Sequence, residues 1–347
     1  MDYFHGHKNI TKLESKAYRK HFPTLTVRSW WGPYARRGAI DLGARAFSIS
    51  EKLRKERPND LTILDELGRN YYYAAQFPGG HDSPGWNVPA IIRENYAKAA
   101  AVDEAMLKLD PGNERTQRSD EIDLLQFGNM PRDQDRDEAG ALDTFRKCLG
   151  IALKLNRRTP TTQHMRDVAV VYYQIGSVYL DHRGDSRQAL VYYRKGLETY
   201  QLAVSADPAN ALLRRGLAIA YANVGSQEGI TGDEKGSIRD LDRGLEIMRG
   251  VAALRPQIVR EKDALAEFYV NRGDNYLRWH LSERATQDDA DACAIYIELR
   301  SNTSDNHLDM NIAGCRTKLG FAALQAGKIE AADAAFHLLY WFPFTPP

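Results

Sequence analysis

The carboxamides of Gln126, Gln174, Asn223 and Asn271 recur at intervals of 48, 49 and 48 residues, and the guanidinium groups of Arg118, Arg166 and Arg215 at 48 and 49. A carboxamide offers two donors and an acceptor, so a row of them can hold the backbone of an extended peptide without reading its side chains closely. The same groups can instead bond to one another and to nearby backbone, and the arginines can form salt bridges between helices. Both readings stay open at the level of sequence.

Catalytic constellations are harder to assemble. His81 and Asp82 lie in the segment Phe77-Pro-Gly-Gly-His-Asp-Ser-Pro-Gly-Trp86, where a His–Asp pair would polarise a nucleophile in a hydrolase. No serine or cysteine in a strand–turn–helix context accompanies them, so the segment reads as a structural insertion pinned by Trp86. Asp133, Asp135 and Asp137 imitate the first ligands of a calcium loop, but Glu138 stands where its glycine should be and Thr144 where its last carboxylate should be. That stretch reads as a solvated helix cap. His5 and His7 have no further ligands at metal-binding spacing, and no glycine-rich phosphate loop occurs. The expectation is a protein that is not an enzyme and takes no cofactor or metal.

Composition narrows the partners. With 47 Lys+Arg against 46 Asp+Glu, the net charge of +1 supplies no basic field for nucleic acid. No apolar run approaches the roughly 18 residues of a membrane helix, and the first residues lack the apolar core of a leader peptide, so cytoplasmic residence is expected. Cys148, Cys293 and Cys315 are scattered singly, and they read as small buried apolar residues outside any disulfide or zinc framework.

The elements that must position the two rows repeat with them. Gly128, Gly176, Gly225, Gly273 and Gly320 follow at 48, 49, 48 and 47 residues, and Pro111, Pro160, Pro208 and Pro256 at 49, 48 and 48. An earlier copy ends at Gly68, and the extra length before Gly128 falls in the loop 77–88. Phrases such as Asp110-Pro-Gly-Asn113 and Asp207-Pro-Ala-Asn210 pair a residue that cannot continue a helix with short polar caps for the next one. Between these punctuation marks apolar residues recur at three and four, the mark of one buried helical face. Helix A should end at Arg183-Gly-Asp185, Thr231-Gly-Asp233 and Ala326-Gly-Lys328, and the marker glycines should let helices approach closely.

Small residues and Gly/Tyr at fixed places, with proline at the end of each unit, resemble the tetratricopeptide repeat over roughly residues 60–340. Phrases such as Arg214-Arg-Gly-Leu-Ala-Ile-Ala-Tyr-Ala-Asn-Val-Gly225 are most similar to the long repeats that follow the kinase domain in some bacterial serine/threonine kinases, although no kinase motif is present. The resemblance implies an all-α fold, a right-handed solenoid of antiparallel helix pairs. Residues 1–32 would form an irregular cap, and residues 33–347 about six hairpins plus a half-unit. It also implies that the concave A-helix face, where the Gln/Asn row falls, binds a protein or peptide partner. The alternative partner is the chain itself. Leu339, Tyr340, Trp341, Phe342 and Phe344 form an apolar end that could meet Trp30 and Trp31 of another copy, giving end-to-end oligomers or fibres.

Overall fold

A computed structural model describes residues 47–76, 89–130, 138–302 and 306–340. Trp30, Trp31, the loop 77–88, the Asp133–Asp137 stretch, Trp341, Phe342 and Phe344 lie outside these residues, as do the side chains of Leu339 and Tyr340. Thirteen helices and no strand occur among the described residues. Helix α1 covers 47–56, followed by α2 Leu61–Gln76, α3 Pro89–Leu109, α4 Glu114–Met130 and α5 Glu138–Arg158. Next come α6 Thr162–Arg183, α7 Ser186–Ala206, α8 Ala211–Thr231, α9 Glu234–Leu254, α10 Val259–Arg278, α11 Ser282–Asn302, α12 Asn306–Gln325 and α13 Ile329–Tyr340. The even-numbered helices are the A helices of successive hairpins, and each packs on the B helix that follows it.

The turns are built as the sequence dictates. Gly184, Gly232 and Gly327 close their A helices at φ of 61°, 95° and 72°, a left-handed conformation that a side chain disfavours. The residue after two of these glycines starts the next helix: Asp185 accepts from the Gln188 amide at 3.0 Å, and Asp233 from the Gly236 amide at 2.9 Å. In the turns between hairpins the Asp-Pro-x-Asn phrase makes one bond twice. Asn113 Nδ2 donates to Asp110 at 3.1 Å and Asn210 Nδ2 to Asp207 at 2.9 Å, while both asparagine oxygens cap the following helix.

The marker glycines are contact points between helices A and B. A methyl group on Gly176 would stand 2.6 Å from the Tyr193 ring, one on Gly128 2.7 Å from the Phe145 ring, and one on Gly225 3.0 Å from the Leu241 and Ser237 backbone. Each glycine is the recess into which a B-helix side chain fits, and this offsets the helix-propensity cost of about 1 kcal/mol.

The chain divides at the end of α5 into two compact units, one up to Arg157 and the other from Arg158. In the first, Leu64, Leu67, Tyr71, Ala99, Val102 and Met106 form a core between α2 and α3. In the second, a core running from Ala218 to Cys315 includes Leu245, Met248, Phe268, Tyr296 and Ile312.

The cysteines require a correction. Cys148 is a buried small residue whose thiol donates to the Glu121 carbonyl. Cys293 and Cys315 are also buried, but they are disulfide-bonded, joining α11 to α12 with their Cα atoms 5.6 Å apart. They are 22 residues apart and face each other only because the B helix of one hairpin lies beside the A helix of the next.

Candidate functional site

Within the second unit, α6, α7 and α8 enclose a cavity of about 330 Å³. Ala169, Val170, Tyr173 and Gln174 of α6 form one wall, Gly216, Ile219, Ala220 and Asn223 of α8 the other, and Tyr193, Gly196 and Tyr200 of α7 the floor. Two glycines shape it. A methyl group on Gly216 would lie 2.3 Å from Cε1 of Tyr200, and one on Gly196 would lie 3.3 Å from the Ala169 carbonyl. Tyr173 stacks on Tyr193 with centroids 5.6 Å apart and remains partly exposed at the rim.

Two rungs of the predicted carboxamide row, Gln174 and Asn223, line this cavity from opposite walls. The side-chain oxygen of Gln174 is buried and accepts no hydrogen bond. Burying such an acceptor unsatisfied costs about 1–3 kcal/mol, which a ligand donor would relieve. Asn271 stands exposed on α10 outside the cavity, and its backbone carbonyl accepts from Asn275 at 2.9 Å. Gln126 is half-buried on α4 of the first unit.

The three arginines of the second row stand in different surroundings. Arg215 is 3.2 Å from a carboxylate oxygen of Glu261, a nearly fully buried side chain that also meets Arg260 at 3.3 Å. Arg215 therefore serves an ion pair between helices. Arg166 is half-buried near the Tyr200 hydroxyl, whose pKa is raised mainly by burial, against the lowering influence of Arg166 and Arg215. Arg118 is half-buried on α4 and engaged with its neighbours.

Tyr173, Tyr193, Tyr200, Gly196 and Gly216 complete the cavity, and none of them belongs to the two rows that the period picks out. Gly216 is a departure from the repeat. It stands nine residues before the marker Gly225, where the other repeats have Ser119, Asp167, Ala264 and Asn311. Tyr172, Tyr221 and Tyr269, four residues before their markers, have cations over their rings: Lys195 at 5.8 Å, Arg243 at 6.0 Å and Arg249 at 5.1 Å. The first two pairs lie within single hairpins, whereas Arg249, which also donates to the Tyr269 hydroxyl at 2.7 Å, ties α9 to α10 of the next hairpin.

The first unit buries a cluster of three carboxyl groups. Asp103 of α3 and Asp120 and Asp123 of α4 are all nearly inaccessible. Burial pushes Asp120 up to about 7, with Asp103 and Glu104 adding to it. Burial also raises Asp103 and Asp123, whose adjacent carboxyls cannot both ionise cheaply. Among the described residues no group of three or more His, Cys, Asp or Glu is arranged to hold a metal ion, and no helix is long and apolar enough to cross a membrane.

Stacked antiparallel hairpins with this A/B packing define a tetratricopeptide-like helical repeat protein, an all-α solenoid. The crystal structure of BtubC (BKLC) from P. vanneervenii is similar at a TM-score of 0.57 and 15% identity, over 74% of this chain and 92% of that one. The apo form of RapI is similar at 0.54 and 13% identity, over 94% and 96%. TTC0263, a thermophilic TPR protein in Thermus thermophilus, aligns at a TM-score of 0.41 and 16% identity, over 72% and 98%. No family model and no curated protein sequence matches the chain.

Proposed function

We propose that the protein is a non-catalytic interaction scaffold that holds an extended peptide segment of a partner on the concave A-helix face of its second unit. The observation that carries this reading is the apolar cavity between α6 and α8 with the unpartnered Gln174 oxygen inside it. A volume of about 330 Å³ suits one large side chain with its adjoining backbone, near the lower end for ligand sites. In the bound state a backbone N–H of the peptide donates to Gln174, Asn223 pairs with the next peptide group, and an apolar side chain enters between Tyr173 and Ile219. Selection from a displayed peptide library should yield sequences sharing one large apolar residue. Replacing both Gln174 and Asn223 with Ala should weaken the selected peptides by roughly thirtyfold, since two hydrogen bonds of about 1 kcal/mol each would be lost. A double variant with the wild-type helical spectrum and unchanged affinity would reject this mode of binding.

The self-assembly reading has support of its own. Phe321, Leu324 and Ile329 on the α12–α13 hairpin are 56%, 47% and 71% exposed, an apolar surface that a second copy would cover. Sedimentation of the wild type beside a variant with Phe321 and Ile329 changed to Ser decides this point. Monomers of both at high concentration would reject it.

A further inference from the structure

Five marker glycines each receive a side chain from the following B helix, sixteen or seventeen residues later. Gly128 receives Phe145, Gly176 Tyr193, Gly225 Leu241 and Gly320 Phe336. Gly273 receives Asp289, whose Oδ1 would lie 3.0 Å from an added methyl group. A carboxyl thus occupies the place of a core ring or aliphatic chain. It is 0% exposed, and neither of its oxygens has a hydrogen-bond partner. A residue that breaks a repeat's own packing rule at this cost marks a place where something other than stability is served.

The charged groups facing Asp289 are few. From α10 comes Asp274, from α12 Lys318 and from α11 itself Asp288. Lys318 is already paired with Asp274. Arg272 of α10 is committed to Asp288 through two 2.8 Å bonds and to Asp242 of α9 at 2.6 Å. Lys318 is therefore the cation for which an ionised Asp289 would compete. One turn away, the buried Tyr276, Ala285 and Ala322 close the same three helices together.

We propose that Asp289 is a proton-controlled latch. As a neutral acid it lets α10, α11 and α12 close, and once its proton passes to solvent it competes with Asp274 for Lys318 and loosens α12 from α10 and α11. Burial, with Asp274 and Asp288 adding and Lys318 opposing, raises its pKa to about 7, which places the transition in the neutral range. The Cys293–Cys315 disulfide lies one turn further along and keeps the opening local. The latch is independent of whether the α6–α8 cavity binds peptide.

Hydrogen exchange of the full chain, corrected for intrinsic rates and followed by mass spectrometry from about pH 5 to about pH 8, tests the proposal. Linkage sets the direction. The closed state holds a proton that the open state releases above about pH 4, so the opening constant of α11 and α12 should rise on the order of tenfold per pH unit and level off above about pH 7. Asp289→Asn, close to isosteric, should flatten this rise, and Asp289→Leu, which restores the residue type at Leu241, should both flatten it and slow exchange. Lys318→Gln should carry the rise to higher pH, because the cation that favours the ionised form is gone. If the wild type is flat, or if Asp289→Asn keeps the wild-type profile, there is no latch.

Discussion

At the scale of the residue, glycine carries more of this architecture than any large side chain. Gly225 and Gly150 both lie inside helices, but only Gly225 has a neighbour at the position of its missing methyl group. That neighbour is largely backbone, the Leu241 amide and Ser237 carbonyl at 3.0 Å, which cannot rotate away. Gly225→Ala should therefore destabilise by about 1–3 kcal/mol through overpacking, more than the helix gains in propensity. Gly150 has nothing within 4 Å, so Gly150→Ala should stabilise by about 0.5–1 kcal/mol. Urea denaturation of the two variants beside the wild type reads both signs, and two equal effects would reject the contact argument. The marker glycines are legible in the sequence because five successive repeats use them as the same recess. Gly216 and Asp289 escape such a reading because a periodic search rewards agreement, whereas their effect comes from departing from the period.

At the scale of the element, hairpin turns are readable because their chemistry is local. Asp207, Pro208 and Asn210 determine where α7 stops and α8 starts within four residues, and the Gly232-Asp233 pair does the same between α8 and α9. The disulfide is not readable, since Cys293 and Cys315 meet only after two helices have packed, and nothing in the intervening sequence announces the pair. The partner of Arg215 is hidden for a related reason: Glu261 is a buried residue on another A helix, with no visible periodic counterpart. The disulfide has a consequence at this scale. Closing 22 residues between α11 and α12 should contribute about 2–4 kcal/mol, chiefly by restricting the unfolded chain. Reduction, or the pair of changes Cys293→Ser and Cys315→Ser, should lower the melting temperature by at least several degrees. Thermal denaturation with and without a reductant, with free thiols counted by alkylation, checks this. A wild type with three reactive thiols after unfolding without reductant would remove the bond from the account.

At the scale of the molecule, both units bury acids that resist ionisation. In the first, Asp103, Asp120 and Asp123 are raised, with burial the largest cause for each. In the second, Glu228, Asp288 and Asp289 are raised, again mainly by burial, and Arg194 opposes the shift at Glu228 and Arg272 that at Asp288. An acid with a raised folded pKa keeps its proton where the unfolded chain has already lost it, so its contribution is fully present below the unfolded value near 4 and declines as pH rises toward the folded value. For Asp120 and Asp289 that window closes at about 7. The usual acid-labile protein behaves oppositely, because its carboxylates are paired and their pKa values are lowered. This chain should be most heat-stable on the mildly acidic side and lose melting temperature steadily toward neutrality. A loss of about 1 kcal/mol corresponds to roughly 2–4 °C for a unit of 150–250 residues. Asp120→Asn and Asp289→Asn, one in each unit, should each remove part of the slope, and the two effects should add because the sites share no partner. Melting curves at constant ionic strength from about pH 5 to about pH 8 decide the matter. A melting temperature that climbs across that range would mean the buried carboxyls are ionised in the folded protein after all, with cations close enough to hold them so.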